Sequence, residues 1–313
     1  MRILTKFIAL LLGLATAASY FDAWWWGLAL ISHFRPHLAA ASLLSGVISL
    51  LSRDRLSCAL SLVLLATNAV PLLPYFSFAA SAAVPHANLR VLAFNMHGMA
   101  TDRAEFRELI GAEHPDLVVL SEISGGIRAL QAETPQLPPY ISGEPRGVLD
   151  SVVLFSRWPL TNVRDAETSN GEAGILSADV CASDRWDGCL RIIALHGAPP
   201  FGTGATTQAE QLAIVARLAA AAPERGALVA GDLDVTPWSP AFETLLAHGK
   251  LVDTGLRRGL TATWLSRVPV IGLLIDHVLV SPGISVADNH LGNNVGSSHF
   301  PVIVDLTISP LAR

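Results

Sequence analysis

The stretch Leu228-Val229-Ala230-Gly231-Asp232-Leu233-Asp234-Val235-Thr236-Pro237 carries the pattern around which the fold can be predicted. A short apolar run delivers Asp232 and Asp234 to a loop that Pro237 closes. Residues two apart on a strand point to the same side, so both carboxylates are expected to face one site. Gly231 allows the backbone to come close to a bound group. Two carboxylates this close need a cation or a shared proton, although a Gly-Asp pair also ends many plain surface strands, so an ordinary turn is the alternative.

The front of the chain is far more apolar than the rest. Of the 313 residues, 51% are hydrophobic and 15% are charged, which is too apolar for one soluble domain. The excess lies in three nearly uncharged segments, 7–20, 37–52 and 56–75. A membrane-spanning helix needs about 20 apolar residues, so the third segment qualifies and the first two are borderline; buried core helices are the alternative. We predict a transmembrane region of about three hydrophobic helices over 1–78 and a linker over 79–88.

The charges that flank these segments predict their orientation. Arg2 and Lys6 precede the first segment, and Arg53 and Arg55 lie between the second and third. Positive charges favour the cytoplasmic side, so everything after the third segment is expected outside the cytoplasm. The first segment could instead be a cleaved signal peptide, which would leave the same topology. Trp24–Trp26 is typical of an aromatic belt at a membrane surface.

The three cysteines agree with an oxidising compartment. Cys181 and Cys189 lie between an alternating run, 175–180, and an apolar run, 190–195, which predicts a hairpin with a long turn. The two cysteines are expected to face each other and form a disulfide, with two free thiols as the alternative. Cys58 lies inside the third hydrophobic segment and is expected to be inert.

The charge of the remaining chain limits its partners. Of the 21 basic and 26 acidic residues, five basic and two acidic ones precede residue 79, so the rest carries a net charge of −8. A surface that binds duplex nucleic acid normally shows a basic footprint, and none is visible. This balance argues against tight nucleic-acid binding without excluding a metal-dependent nuclease. No sequence feature implies a partner protein.

The chain after residue 88 alternates between apolar strands and amphipathic helices. The predicted strands are Leu89–Phe94, Leu117–Leu120, Ser151–Phe155, Ile175–Val180, Leu190–Leu195, Leu228–Asp232, Leu274–Val280 and Val302–Ile308. The predicted helices are Ala104–Glu113, Gln208–Ala222 and Ser239–His248. The first strand–helix–strand unit favours a parallel pair, and 135–147 is predicted to be a loop.

Polar residues fall where the predicted strands end. Asn95, Glu122, His196 and Asp232 each stand at the C-terminal end of an apolar strand, and His299 precedes the last strand. Ligand sites in layered α/β proteins gather at strand ends. Each residue alone has a plain structural interpretation as a cap or turn residue, but five at strand termini indicate a functional site.

Six segments in order are similar to the motifs of a known family. They are Phe94-Asn95, Pro115–Glu122, Leu195-His196, Gly231–Asp234, Ile275–Leu279 and Ser297-Ser298-His299-Phe300-Pro301. Over about residues 88–308 the chain resembles the endonuclease/exonuclease/phosphatase family, in particular its bacterial membrane-anchored members. The resemblance implies an α/β fold, a four-layer sandwich of two mixed β-sheets flanked by helices, as a catalytic domain over 89–313. It also implies a location at the bacterial inner membrane, with the lipid bilayer as a partner.

The resemblance further implies hydrolysis of a phosphodiester or phosphomonoester substrate with a divalent metal, Mg²⁺ or Mn²⁺. Glu122 resembles the principal metal ligand of the family, helped by Asn95, which also contacts substrate. Asp232 resembles the carboxylate that positions or deprotonates the attacking water beside the metal. Mg²⁺ prefers a few carboxylate oxygens together with water and phosphate oxygens, which suits so sparse a set.

Three further residues resemble the catalytic groups that act on phosphate. His299 resembles the histidine that contacts the phosphoryl group, and Asp276 resembles the carboxylate that orients it. His196 resembles the histidine that binds phosphate or assists the leaving group. A histidine held by a carboxylate has its tautomer fixed, which this role needs.

Two positions depart from the family pattern. Asp234 stands where the family usually has asparagine, and Ser298 stands where it usually has aspartate before the last histidine. Both positions are expected to contact substrate. Since one carboxylate is lost and one is gained, we expect the two changes to compensate each other. The alternative is that the chain is a catalytically weak or inactive relative that binds phosphate or another molecule.

Overall fold

The computed structural model describes residues 2–21, 24–76, 86–98, 100–123, 126–143, 152–171 and 174–309. Most of the linker predicted over 79–88 lies outside these residues. The described α-helices are α1 (Arg2–Ala18), α2 (Trp26–Ser32), α3 (Arg35–Leu51), α4 (Arg55–Ala69), α5 (Arg103–Glu113), α6 (Ile127–Glu133), α7 (Thr203–Ala220) and α8 (Pro240–Gly249). Two 3₁₀ helices, Val70–Tyr75 and Pro269–Ile271, accompany them.

The strands form two sheets. They are β1 (Leu89–Gly98), β2 (Leu117–Ile123), β3 (Tyr140–Ser142), β4 (Val152–Ser156), β5 (Leu160–Ala166), β6 (Ile175–Val180), β7 (Leu190–His196), β8 (Ala227–Asp232), β9 (Val252–Asp253), β10 (Asp276–Val280), β11 (Ile284–Leu291) and β12 (Val302–Ile308). One sheet has the order β11-β12-β1-β2-β4-β3, and the other has the order β5-β6-β7-β8-β10-β9. Each sheet is mixed: β1 and β2 are parallel, as are β7 and β8, and the other pairs are antiparallel.

The central strands bury side chains on both faces. In β1, Val91 and Ala93 pack between the two sheets, whereas Leu92 and Phe94 pack against α5. Successive side chains of a strand point to opposite faces, so an unbroken apolar run fits a sheet that is covered on both sides. In β8, Leu228 enters the core between the sheets in the same way.

Helices cover the outer face of each sheet. Phe106 of α5 and Leu130 of α6 pack on the sheet that contains β1, and Leu212 of α7 and Phe242 of α8 pack on the sheet that contains β8. The layers therefore run helix, sheet, sheet, helix. The predicted four-layer sandwich of two mixed sheets is confirmed.

The N-terminal residues form a bundle of apolar helices. The helical stretch Arg55–Tyr75, which is 21 residues long, has the length and composition of a membrane span. The chain bends by 64° between the helices Trp26–Ser32 and Arg35–Leu51. Only together are these two helices long and apolar enough for a second span. The sequence predicts about three helices here, and the structure has a short fourth one, α2. It begins at Trp26, where we expected only an aromatic belt.

The predicted hairpin pairs β6 with β7, and a disulfide joins Cys181 and Cys189 across its turn, with their Cα atoms 4.2 Å apart. Replacing both cysteines with serine is expected to lower the free energy of unfolding by about 2–3 kcal/mol, because the bridge restricts a short loop in the unfolded chain. Denaturant unfolding of the non-reduced protein measures this loss. Cys58→Ser removes a thiol without a bridge and serves as the control. Two free thiols in the unfolded, non-reduced protein would contradict the bridge.

Candidate active site

The strand ends of both sheets meet at one edge of the sandwich. Asn95 on β1 lies opposite Ser121 of β2, whose next residue is Glu122. In the other sheet, Asp232 lies opposite His196 on one side and opposite Asp276 on the other. Parallel pairing therefore brings the carboxyl ends of β1 and β2, and of β7 and β8, to the same edge.

Asn95 links the two sheets at this edge. Its fully buried side-chain amide donates to Glu122 Oε1 and to Asp232 Oδ2, both at 2.9 Å. Its Oδ1 accepts from the backbone N–H of His97 at 2.9 Å, which fixes which end of the amide faces the carboxylates. In this orientation Asn95 holds the two carboxylates together, and its expected contacts with a metal and with substrate stay predictions.

Glu122 and His196 form an ion pair across the two sheets. The imidazole Nε2 of His196 lies 3.4 Å from Glu122 Oε1. Burial alone would raise the pKa of Glu122, but the hydrogen bonds from His196 and Asn95 lower it to about 2. Burial alone would lower the pKa of His196, but its bond to Glu122 and the charge of Asp232 raise it to about 9. Both groups are therefore charged near neutral pH.

His299 is held by a second carboxylate. Its Nδ1 lies 2.9 Å from Asp276 Oδ2, and its Nε2 lies 3.8 Å from Asp232 Oδ2. Burial alone would lower the pKa of His299, but the charge of Asp276 and the hydrogen bond to it raise the pKa to about 9. Thr263 Oγ1 accepts from the backbone N–H of Asp276 at 3.0 Å and so fixes the start of β10. This arrangement leaves His299 Nε2 directed towards Asp232.

Asp232 and Asp234 are neighbours, but strand alternation is not the cause. The strand ends at Asp232, and Asp234 adopts a left-handed backbone with φ of 52°. Its N–H donates to Asp232 Oδ1 at 3.0 Å, which is the geometry of an Asx turn. Strand alternation therefore does not place Asp234, and the expectation that both carboxylates face one site stays a prediction. Burial and the charge of Asp232 together raise the pKa of Asp234 well above its usual value.

Gly231 makes a close backbone approach possible, but the approaching group is a neighbouring strand. Its φ is 139°, and a Cβ atom there would lie 1.9 Å from the carbonyl oxygen of Leu195 on β7. Any side chain at Gly231 would push apart the two strands that carry His196 and Asp232. Gly231 is thus required by the tight β7–β8 packing, and its expected approach to a bound group stays a prediction.

Ser298 and His97 form a contact that the sequence analysis did not identify. Ser298 Oγ lies 2.8 Å from His97 Nδ1. His97 lies in β1 with a left-handed φ of 49°, three residues after the end of the predicted strand Leu89–Phe94, and this position was the available signal. The backbone oxygen of Ser298 accepts from the N–H of Ser266, which fixes this loop beside the site.

The donor atoms at this edge fit a divalent cation. One oxygen each from Asp232 and Asp276 and one ring nitrogen of His299 lie within 4.8 Å of one another. The buried Oδ1 of Asp276 has no hydrogen-bond partner among the described residues. Glu122 adds a further carboxylate, joined to Asp232 through Asn95. Carboxylate oxygens at this density favour hard cations such as Mg²⁺ or Mn²⁺.

Similar solved structures share this fold. They include an endonuclease/exonuclease/phosphatase from Beutenbergia cavernae, with 22% identity, a TM-score of 0.58, and 71% of this chain and 72% of that chain covered. An AP endonuclease from Archaeoglobus fulgidus has 14% identity and a TM-score of 0.56, covering 69% of this chain and 98% of its own. An endonuclease/exonuclease/phosphatase from Bacteroides vulgatus has 15% identity and a TM-score of 0.53. The match covers 71% of this chain and 99% of that chain. Among curated proteins, none matches the chain.

The family itself is established by a match to sequence rather than to shape. The model of the endonuclease/exonuclease/phosphatase family matches residues 92–299, which include Asn95, Glu122, Asp232 and His299. Members of this family are hydrolases that act on phosphoester bonds, commonly with divalent metal ions. The matched range spans well over half of the chain, and we conclude that the chain belongs to the endonuclease/exonuclease/phosphatase family.

Proposed function

We propose that this chain is a membrane-anchored, metal-dependent phosphoesterase whose catalytic domain lies outside the cytoplasm. The observation that carries the proposal is the pair of hydrogen bonds from Asn95 to Glu122 and Asp232, which joins carboxylates of both sheets between two charged imidazoles. Such a set of anionic and cationic groups fits a phosphoryl group together with a divalent cation.

Each charged group has a role that its position supports. Glu122 and Asp232 would hold Mg²⁺ or Mn²⁺, which supplies the positive charge that phosphate oxygens need as the ester is cleaved. Asp232 lies between Asn95 and His299, where it can orient and deprotonate the attacking water. His299, oriented by Asp276, and His196, paired with Glu122, then contact the phosphoryl oxygens and the leaving group.

The alternative, a catalytically weak or inactive relative, is favoured by one contact. Ser298 replaces the aspartate that the resemblance leads us to expect, and its hydroxyl is hydrogen-bonded to His97. This side of the site therefore offers a neutral hydroxyl and an imidazole where the family usually has an anion. Asp234, half-buried on the loop beside Asp232, supplies the compensating charge in our proposal.

The compensation predicts a non-additive pair of substitutions. Asp234→Asn alone should weaken Mg²⁺ binding, because no other carboxylate replaces it, and Ser298→Asp alone should add an uncompensated anion and help little. The double variant restores the family pattern and should hydrolyse faster than either single variant. Measuring the Mg²⁺ dependence of hydrolysis for all four proteins tests this, and additive effects would mean that the two positions act independently.

The packing of the N-terminal bundle supports a membrane location. Its interior is lined by small and polar residues, including Ser45, Ser61, Thr16 and Asn68, while many of its leucines are exposed. Ser45 Oγ and Ser61 Oγ lie 2.9 Å apart, and Asn68 donates to Thr16 Oγ1 at 2.9 Å. A soluble helical bundle buries its leucines, whereas helices in a bilayer meet through small residues and expose leucines to lipid.

The bundle also supports retention of α1 in place of a cleaved signal peptide. Thr5 Oγ1 donates to Asp54 Oδ2 at 2.9 Å at the end where Arg2 and Arg53 lie, and Thr16 accepts from Asn68 near the opposite end. Removal of α1 would take away one hydrogen-bond partner each from Asp54 and Asn68 inside the bundle.

The proposed topology has a direct test. A reporter enzyme that requires disulfide formation, fused after Arg313, should be active, because the flanking cations favour the orientation in which the C-terminal domain lies outside the cytoplasm. A fusion after Ser52, between the second and third spans, is the matched control and should be inactive. The opposite pattern, active at Ser52 and inactive at Arg313, would refute the topology.

The proposed reaction is tested with soluble substrates. The purified full-length chain is incubated with a generic phosphodiester and a generic phosphomonoester, each in the presence of Mg²⁺, Mn²⁺ or EDTA. Hydrolysis of either ester with a cation is the expected result. Absence of hydrolysis under every condition would favour the inactive relative.

A further inference from the structure

The outer end of the helical bundle contacts the loop that carries the catalytic carboxylates. His33, between α2 and α3, places Nδ1 3.0 Å from Thr236 Oγ1, and both residues are buried. Trp238 Nε1 donates to the backbone oxygen of His33 at 3.0 Å. Thr236 lies two residues after Asp234, so the bundle end and the catalytic loop form one packed unit.

A second contact ties the same end of the bundle to another loop of the site. The N–H of Gly259 donates to the backbone oxygen of Tyr75 at 2.7 Å, and the Tyr75 hydroxyl donates to Asp253 at 2.9 Å. The segment 260–274 begins there. Its first and last residues, Leu260 and Leu274, pack against the cluster that Ala39, Leu72 and Trp238 form.

This segment also reaches the catalytic histidine. Thr263 Oγ1 accepts a hydrogen bond from the backbone N–H of Asp276, and Trp264 forms a β-bridge with His299. The segment 260–274 is therefore anchored on the bundle at both ends and supports the His299–Asp276 pair in between.

The tip of the segment is apolar and points to solvent in the structure. Val268, Val270 and Ile271 have exposed fractions of 51%, 85% and 55%. Pro269 and Val270 line one cavity together with Pro36, His37 and Ala40 at the start of α3. Because a helix rises 1.5 Å per residue, these residues span only about 6–8 Å along α3, so the tip lies level with the point where α3 would enter the bilayer.

Further exposed aromatic residues lie at the same end of the bundle. Trp24–Trp26 line a cavity together with Pro200 and Gly202 of the loop that follows His196. Phe201, between them, is 57% exposed, and Trp24 is 81% exposed. Tryptophan is enriched at the headgroup level of membranes, which matches the predicted position of this end of the bundle.

From these contacts we infer that the active site opens at the bilayer surface and that its substrate is a membrane phospholipid, cleaved at a phosphodiester of the headgroup. The tip Val268–Ile271, Phe201 and Trp24 rest among the headgroups on either side of the site. A site for a dissolved ester needs no such apolar surroundings, and exposed apolar patches of this kind mark contact with another apolar phase. The inference rests on the proposed function and names its substrate class.

The reaction needs no further reagent. Water adds across one P–O bond of the headgroup diester, the P–O bond to the leaving alcohol breaks, and that alcohol takes up a proton. The products are a phosphate monoester and an alcohol, one of which retains the acyl chains. Arg267, exposed next to the tip, favours lipids with anionic headgroups.

The test compares a lipid substrate with a soluble one in the same full-length protein. The chain is reconstituted with Mg²⁺ into vesicles of phosphatidylethanolamine and phosphatidylglycerol in equal amounts, and the lipid products are measured by mass spectrometry. Soluble bis(p-nitrophenyl) phosphate is measured in the same preparation. The double variant Val270→Asp/Ile271→Asp disrupts the tip, and Val163→Asp, at an exposed position on the edge strand β5, is the matched control.

The wild type and the Val163 control should hydrolyse lipid, and the tip variant should lose roughly tenfold or more of this activity while keeping the soluble activity within about twofold. The retained soluble activity shows that the tip variant is folded. Hydrolysis of the soluble diester without any lipid hydrolysis by the wild type would overturn the inference and leave the proposed function intact. Lipid hydrolysis by the tip variant at the wild-type rate would also overturn the inference. Inactivity of the wild type towards both substrates would overturn the proposed function as well.

Discussion

Glu122→Gln is expected to lower metal-dependent hydrolysis roughly 100- to 1,000-fold without unfolding the protein. Glutamine keeps the shape of the side chain and one oxygen for a cation, but it loses the negative charge that the cation and His196 both contact. A loss of about 3–4 kcal/mol of transition-state stabilisation corresponds to a factor of this size. The measurement is kcat/KM for a soluble phosphodiester over a range of Mg²⁺ concentrations.

The control for this substitution is Glu133→Gln, which makes the same chemical change at an exposed position on α6. Its activity and its thermal unfolding should match those of the wild type. Wild-type activity of Glu122→Gln at low Mg²⁺ would place the cation elsewhere, and the cluster of Asp232, Asp276 and His299 would be the next candidate.

Asp276→Asn is expected to lower kcat by roughly 100- to 10,000-fold. The Asp276 carboxylate accepts from His299 Nδ1 and keeps the imidazole protonated and aimed at Asp232. An asparagine amide of the same shape can instead donate to Nδ1, which favours the wrong tautomer, and this kind of change has effects of that order in other enzymes. Because the two residues act as one unit, Asp276→Asn/His299→Ala should be no slower than His299→Ala alone.

Asp187→Asn, in the exposed turn between the two bridged cysteines, is the control for this pair. Its kcat should equal that of the wild type. Multiplicative losses in the double variant would mean that Asp276 acts on the reaction independently of His299, for example as a direct ligand of the cation.

The sequence predicts the centre of each sheet better than its edges. The eight strands expected from apolar runs correspond to β1, β2, β4, β6, β7, β8, β10 and β12. The strands it did not predict, β3, β5, β9 and β11, lie at the four edges of the two sheets. An edge strand is half exposed, so its composition resembles that of a loop; five of the seven residues of β5 are exposed.

The sequence predicts which residues the structure brings together at the shared edge of the sheets, but not how they are arranged there. Strand ends and family motifs together identified Asn95, Glu122, Asp232 and His299, because each follows or precedes a recognisable apolar run. The orientation of the Asn95 amide depends on the N–H of His97, and a contact of this kind has no signature in composition or spacing. The Ser298–His97 contact joins residues 201 positions apart and is visible only in the folded chain.

The attachment of the helical bundle to the site could not be predicted from the sequence either. Hydropathy identifies apolar segments but does not show which of their residues face inwards. The contact between His33 and Thr236 depends on the turn between α2 and α3, and α2 itself was not predicted. The role of Trp238, which packs beside Tyr75 and binds His33, follows from that same turn.

The most direct test of a cation-dependent phosphoester site at Glu122 and Asp232 is one titration. The purified full-length chain is stripped with EDTA, and hydrolysis of bis(p-nitrophenyl) phosphate is followed as Mg²⁺ is added back. We predict no turnover in EDTA, full recovery with Mg²⁺ in the wild type, and no recovery in Glu122→Gln at the same concentrations. Turnover that persists in EDTA, or equal recovery in the wild type and in Glu122→Gln, would contradict this assignment.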